Sequence, residues 1–285
     1  TKITDAGLVH LKGLTQLQTL NLYGLKVTDV GLAHLKELNS LKFLDLRKTK
    51  ITDSGLEHLK GLKELQYLDC DDTGVTDAGL AHLEGLTNLI KLGLNRKNLT
   101  EAGLFHLKGL TKLENVNLPG NVTDAGLEHL KGLTNLRRLV LSGTKVTDNG
   151  LAYLKKMTGL KDLRLHFTEI TDAGMVHLKD LAQLWDLYLD YTRVSDVGLM
   201  QLKEMSALKL LYLRGTKVTD TGMAHLIGLK QLQTLSIDHT RVTDAGLMQL
   251  KGLEKLKRLH LLSTLVTDAG VKKLQQALPK CKIYR

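Results

Sequence analysis

Eight histidines hold one recurring position: His10, His34, His58, His82, His106, His129, His177 and His225. Imidazoles repeated along a chain could form a metal-binding or pH-sensing ladder. The same position holds Tyr153, Gln201, Gln249 and Lys273 in other copies, and neither Gln nor Lys sustains a metal site. Helices packed about 10 Å apart would also keep the rings too far apart for one ligand sphere of about 2 Å radius. The histidines therefore read as a copied, partly exposed helix position, with no metal and no cofactor implied.

Carboxylates offer a second chemistry. Asp69, Asp71 and Asp72, with Asp45 one repeat earlier and Tyr67 beside them, could serve acid–base catalysis or weak Ca²⁺ binding. A hydrolytic carboxylate pair needs a cleft that raises one pKa, and an open sheet supplies little desolvation. No Gly-rich phosphate loop, H-E-x-x-H, C-x-x-C or G-x-S-x-G occurs. An acidic recognition patch is the simpler reading, and the chain is expected not to be an enzyme.

The third chemistry is charge. The net charge of +10 invites a polyanion, but the basic series Lys12, Lys36, Lys60, Lys108, Lys131, Lys155, Lys179, Lys203 and Lys251 is interleaved with Glu37, Glu57, Glu84 and Glu128. Such a series is usually a solvated face. The strand positions mix Arg47, Arg164 and Arg214 with Asp45, Asp162 and Asp186, which argues against a phosphate groove.

All these groups ride on one repeating unit. The motif [VIL]-[TS]-[DE]-x-G-[LMV] starts twelve times, at Ile3, Val27, Ile51, Val75, Leu99, Val122, Val146, Ile170, Val194, Val218, Val242 and Val266. Every step is 24 residues except Leu99 to Val122, which is 23. No linker interrupts the series, so one domain over 1–285 is expected, with a shortened last unit at about 266–285. The first unit has no cap and is expected to be the least stable. The composition, 42% hydrophobic and 4% aromatic, is that of a folded chain. The longest apolar run falls far short of the roughly 20 residues a membrane-spanning helix needs, and the first residues are not expected to be a signal peptide.

Within a unit, L-x-L segments such as Leu44-Asp45-Leu46 and Leu187-Tyr188-Leu189 alternate with period two, which predicts a short strand with its leucines inward. Leucines at i, i+3 upstream predict one face of a short helix. The Thr or Ser of each motif is expected to be the helix N-cap, and the acid after it to favour the helix dipole. Gly13, Gly61, Gly85, Gly109, Gly132, Gly228 and Gly252 fall where a left-handed C-cap would help. The invariant motif glycine costs about 1 kcal/mol relative to Ala in a helix, so a neighbouring backbone is expected to pass too close for a Cβ. Strands stack about 4.8 Å apart and helices about 8–10 Å apart. The expected fold is thus a curved α/β solenoid, with a parallel sheet on the concave face and short helices on the convex face. Cys70 and Cys281 replace strand leucines. Nine repeats put them about 43 Å apart, beyond the roughly 7 Å a disulfide allows.

The closing L-x-x-L-x-L-x-x-T of each unit resembles the leucine-rich repeat, over essentially the whole chain. The I-T-D-x-G-L opening is similar to repeats of F-box leucine-rich-repeat receptors and of bacterial leucine-rich arrays. The eukaryotic receptors commonly carry Cys where this chain has Thr49, Thr73, Thr144, Thr168, Thr192, Thr216, Thr240 and Thr264. That departure, with the short unit, leans toward the bacterial kind. The resemblance implies a binding scaffold without a cofactor.

The side chains that do not repeat point to the site. By strand parity, Arg164, His166, Asp186, Tyr188, Asp190, Tyr212, Arg214 and Asp238 face outward, with Phe167 and Tyr191 just past their strands and Trp185 just before one. Trp, Tyr and Arg are the usual anchors of protein interfaces, and the chain has one Trp and three Phe to place. These eleven residues are the expected partner-binding cluster, and Asp45, Tyr67, Asp69, Asp71 and Asp72 the secondary acidic patch. The expected function is non-catalytic recognition of a protein or peptide on the sheet. One alternative is the substrate-recognition portion of a larger effector or ubiquitin-ligase system, which needs further segments. The other is polyanion binding through the Lys-rich helix face.

Overall fold

The structure, a computed structural model, describes residues 3–94 and 96–285. The chain divides into two compact units, residues 1–136 and 137–285. In the first, each L-x-L segment forms a strand: β1 (Thr19–Asn21), β2 (Phe43–Asp45), β3 (Tyr67–Cys70), β4 (Lys91–Leu94) and β5 (Asn115–Asn117). Each pairs in parallel with the next, and the register carries the repeat: Leu20 lies opposite Leu44, and Leu44 opposite Leu68. The second unit repeats this with β6 (Arg138–Val140), β7 (Asp162–Arg164), β8 (Asp186–Tyr188), β9 (Leu210–Tyr212), β10 (Thr234–Ser236), β11 (Arg258–His260) and β12 (Lys282–Tyr284).

Short helices alternate with the strands, so both units are α/β solenoids, as the period predicts. Most helices run four to six residues, as in α9 (Asp196–Leu199) and α10 (Asp220–Ala224), and several continue into a 3₁₀ turn. The last, α12 (Asp268–Ala277), runs ten residues. The leucines of successive repeats fill the space between sheet and helices. Leu187, Leu199, Leu202, Leu211, Leu213, Leu226 and Leu235 have no exposed surface. In the first repeat Ile3 and Leu14 are 42% and 49% exposed. Among the described residues, seven repeats close on a buried threonine, Thr49, Thr73, Thr144, Thr168, Thr192, Thr216 and Thr240, whose hydroxyl donates to the carbonyl three residues back, as Thr192 does to Leu189 at 2.7 Å. Both cysteines are buried, but only Cys70 takes a strand-leucine position, opposite Leu94; Cys281 lies just before β12, where Ile283 is the residue opposite Leu259. Burial pushes both thiols up, Cys281 to about 11.

The T-D-x-G signature acts differently from its expected roles. The carboxylate sits in the first turn of its own helix, as expected, but its hydrogen bonds go elsewhere. It reaches the next repeat, where one oxygen accepts the Thr N–H and the other accepts the Thr hydroxyl. Asp5 holds Thr28 in this way, Asp29 holds Thr52, Asp172 holds Ser195, and Asp196 holds Thr219 at 2.8 and 2.6 Å. Only Thr100, Thr171, Ser195, Thr243 and Thr267 also accept a helix N–H, at 3.2–3.3 Å, among the described residues. The expected N-cap is therefore secondary to a clamp between repeats.

The motif glycine follows from that clamp. A Cβ at Gly222 would collide with Asp196 Oδ1, and one at Gly55 with Asp29 Oδ1. The crowding is real, and its nearest source is the clamping carboxylate; a neighbouring backbone atom also comes within clash distance at Gly246, where Asp220 Cα would stand 2.8 Å from the Cβ. Repeat five confirms the geometry. Its step is one residue short, and there the acid is Glu101, whose extra methylene carries Oε2 to Thr123 N (2.9 Å) and Oγ1 (2.7 Å). Those two bonds hold the Glu101 carboxyl below its ordinary value.

The expected left-handed C-caps are also corrected. Of the seven glycines, only Gly13 has a positive φ. Elsewhere the helix ends in a 3₁₀-type turn, as where Leu62 N–H donates to the Leu59 carbonyl. The left-handed residue lies instead just past the strand, at Gly24, Lys48, Asp72, Gly143, Phe167, Tyr191, Gly215, His239 and Ser263.

Candidate functional site

Ten of the eleven expected cluster residues lie within β7–β9 or just past their ends, in the second unit, or at Trp185 just before β8; Asp238 follows β10. Equivalent residues of adjacent parallel strands stand side by side, so aromatics repeated at one position must stack. Tyr188 and Tyr212 do so, with centroids 4.6 Å apart and planes within 5°. Past the strands, Phe167 and Tyr191 stack at 4.8 Å and 9°. His166 meets both pairs edge-on, 5.7 Å from Phe167 and 6.3 Å from Tyr188. Offset and edge-to-face pairs of this kind contribute about 0.5–1.5 kcal/mol each beyond area burial.

Phe167 and Tyr191 are held at φ 58° and 54°. Such a conformation costs on the order of 1–3 kcal/mol for a non-glycine residue. The ladder enforces it: Phe167 N–H donates to the Asp190 carbonyl (2.9 Å) and Tyr191 N–H to the Arg214 carbonyl (2.7 Å). Both rings stay open to water, at 60% and 40% exposure. The left-handed backbone belongs to the repeat, recurring at Lys48, Asp72, His239 and Ser263; what is particular here is that it carries two exposed, stacked rings.

Charges frame the rings. The Arg164 guanidinium lies 4.7 Å from the Tyr188 centroid, and its Nε donates to Asp162 at 3.1 Å. Arg138 reaches the other Asp162 oxygen at 3.3 Å. Arg214 lies 5.5 Å from the Tyr191 centroid, with Nη2 3.2 Å from His239 Nε2, while its Nε is buried without a partner. Asp190 accepts the Arg214 N–H at 2.8 Å, and Asp238 accepts that of Leu262 at 2.6 Å and the Ser236 hydroxyl at 3.1 Å. Burial raises the carboxyls of Asp186, with help from Asp162, and of Asp190, against the Arg214 N–H. Burial, then Arg164, lower the His166 imidazole below its ordinary value.

The raised Asp190 value fixes a sign. The fold favours the protonated carboxyl, so stability from this group is present below the unfolded value of about 3.9 and is lost as pH rises through the folded value. Asp190→Asn keeps an oxygen for the Arg214 N–H and removes the charge. It is expected to unfold at higher denaturant concentration than the wild type at pH 7, with the gap narrowing by pH 4. A variant less stable at pH 7 would show that the carboxylate is a net stabiliser.

Trp185 lies at the opposite edge of the sheet from Tyr191, just before β8, and is 39% exposed. Lys161 and Lys209, one repeat before and after, place Nζ 4.5 and 4.0 Å from its ring. Neither lysine was expected in the cluster. The signal was available, since they sit 24 residues either side of Trp185. His239 was also missed, and its sign is the positive φ position shared with Gly143 and Gly215.

The acidic patch, in the first unit, is differently built from its expected form. Asp45 and Asp69 share a face, but their exposures are 0% and 5%. Arg47 lies over both, with Nη2 2.6 Å from Asp45 and Nε 3.7 Å from Asp69. Its hydrogen bonds hold the Asp45 carboxyl below the ordinary range. Tyr67 stacks on Phe43 at 4.3 Å and donates its hydroxyl to Asp69 at 3.0 Å; burial, then Asp69, push it up to about 12. Asp71 and Asp72 remain exposed. Arginine therefore covers half of this patch. The repeated histidines are half-buried or exposed on the helix side, and His106 pairs with Glu84 at 2.6 Å. Among the described residues no group of three His, Cys, Asp or Glu could hold a metal, and no helix is long and apolar enough to cross a membrane.

Residues 37–60 and 132–155 match the Leucine Rich repeat family model, and with the strand–helix repeat this supports a leucine-rich-repeat protein. Among solved structures it is similar to an internalin, inlF, from Listeria monocytogenes: 26% identity, TM-score 0.78, covering 100% of this chain and 84% of that one. It is also similar in fold to the plant peptide hormone receptor RGFR1 in complex with RGF2 (17% identity, TM-score 0.64, 97% and 48% covered). A leucine-rich-repeat protein of Leptospira interrogans matches at 17% identity and TM-score 0.51, with 95% and 91% covered. The Listeria match, at 26% identity, is in line with the bacterial lean drawn from the 24-residue unit. No curated protein matches the chain.

Proposed function

We propose that the chain is a non-catalytic recognition scaffold that binds a protein or peptide on the sheet face of its second unit. The observation that carries this reading is the double aromatic stack, half-buried Tyr188 on Tyr212 and exposed Phe167 on Tyr191, in adjacent repeats of one sheet face. Rigid aromatics offer a large contact area at low entropic cost, and arginines beside them add directional donors. The fold supports the reading in kind, since one similar structure is a receptor in complex with a peptide hormone. Arg164, Asp186, Asp190, Arg214 and Asp238 form the polar surround, and Asp71 and Asp72 of the first unit are a secondary contact.

The test is affinity capture from lysate and secreted fractions, comparing wild type with Tyr188→Ala/Tyr212→Ala. A protein retained by the wild type and lost, by roughly tenfold or more, in the double variant is expected. Equal retention by both would move the binding surface elsewhere. Both side chains point away from the core, so circular dichroism should show the variant folded.

A further inference from the structure

The charge of the chain is unevenly placed. Residues 137–285 hold 24 of the 40 Lys and Arg but 14 of the 30 Asp and Glu, so the whole net charge of +10 belongs to the second unit. Within that unit, the residue just before each of the six strands β6 to β11 is Arg137, Lys161, Trp185, Lys209, Gln233 and Lys257. Four of the six are cations and none is an acid. The same position in the first unit holds one cation, Lys42, and one acid, Glu114. The nearest acid on β7, Asp162, is already bridged by Arg138 and Arg164.

At the centre of this edge the cations are fixed. The ammonium groups of Lys161 and Lys209 lie against Trp185, at 4.5 and 4.0 Å from its ring, and backbone bonds tie the three together: Trp185 N–H donates to Lys161 O (2.8 Å) and Lys209 N–H to Trp185 O (2.7 Å). A lysine held on an aromatic face has already lost much of its rotamer freedom, so less is lost when a partner binds. Two strand spacings separate the lysines, about 10 Å. In a polyproline-II segment residues i and i+3 share a face at about 9.3 Å, and an acidic segment extends by self-repulsion.

We infer that the partner presents an extended acidic peptide segment, with carboxylates about three residues apart, along the Lys161–Trp185–Lys209 edge of the sheet. This rests on the sheet-face reading above and adds the chemical class of the partner. Acidic residues meet the edge before the strands, while the aromatic stacks past the strands receive the apolar part of the same partner. Matched charge of this kind steers association and depends on salt.

The experiment uses the full chain and an oligo-glutamate peptide, read through the emission of Trp185, the only tryptophan. Saturable binding at low salt is expected, weakening as salt rises. Lys161→Glu/Lys209→Glu should lose roughly tenfold or more in affinity, while Lys155→Glu/Lys179→Glu, the same charge change on exposed helix-side lysines, should stay within about twofold of wild type. The helix-side pair is followed with fluorescein-labelled peptide as well, so a remote site is not missed. No binding to the wild type, or equal losses in the two variants, would overturn the inference, as would heparin binding abolished by the helix-side pair alone. If the captured partner is lost in Tyr188→Ala/Tyr212→Ala but kept in Lys161→Glu/Lys209→Glu, the acidic class is wrong and the sheet-face reading stands. If the tyrosine variant keeps its partner, the sheet-face reading itself fails.

Discussion

Gly222→Ala is expected to destabilise the second unit by about 2–4 kcal/mol, although Ala is the better helix residue by about 1 kcal/mol. The new Cβ would collide with Asp196 Oδ1 and stand 3.1 Å from Leu199 Cδ1 and Val218 Cγ1. The leucine and valine can yield by tenths of an ångström, but the carboxylate cannot move without releasing Thr219, whose N–H and hydroxyl it accepts at 2.8 and 2.6 Å. Each bond to a charged acceptor contributes about 1.5–3 kcal/mol, discounted because the pair is only part-buried. Chemical denaturation of Gly222→Ala, Asp196→Ala and the double variant forms a cycle. Since the glycine acts through the carboxylate, the double variant should cost clearly less than the two singles added. Additive costs, or a stabilised Gly222→Ala, would show that the clamp is not why glycine is needed.

Leu211→Ala should cost about 2–5 kcal/mol. Leu211 has no exposed surface, lies between Leu187 and Leu235 in register, and belongs to the row that faces the helices. Neighbouring repeats are held by their own clamps and cannot readily collapse into the gap, which favours the upper part of that range. Tyr212, the next residue, points to the other face, and Tyr212→Ala alone should cost far less. The denaturation midpoint of the two variants measures the alternation directly, and similar losses from both would contradict it.

Much of this architecture was legible in the sequence because its causes are local or strictly periodic. L-x-L alternation placed Leu211 inward and Tyr212 outward, and one period of offset placed Tyr188 beside Tyr212. The misreadings share a cause, which is a partner one repeat away. Thr219 looks like an N-cap when only its own helix is considered, yet its hydroxyl is given to Asp196, 23 residues earlier. Glu101 looks like a drifted aspartate until its reach across the short repeat is seen. The left-handed position was hidden because Phe167 and Tyr191 occupy it in place of glycine. The burial of Asp45 was illegible because its cover, Arg47, lies on the surface face where parity expects only solvent.

The clamp also bears on how such a chain can change its length. Each joint is made by an acid in one unit and a hydroxyl in the next, and Asp172 meets Ser195 with the same two bonds by which Asp196 meets Thr219. Excising one period, residues 194–217, would bring Asp172 to Thr219 with both halves of the joint intact. Unequal crossing-over between copies therefore yields longer or shorter descendants without a broken seam. The outward side chains travel inside each cassette, so lineages can shuffle their binding surfaces by recombination as well as by point substitution. The Glu101 joint is the exception: its acid fits a 23-residue step, and a cassette cut there carries a mismatched reach.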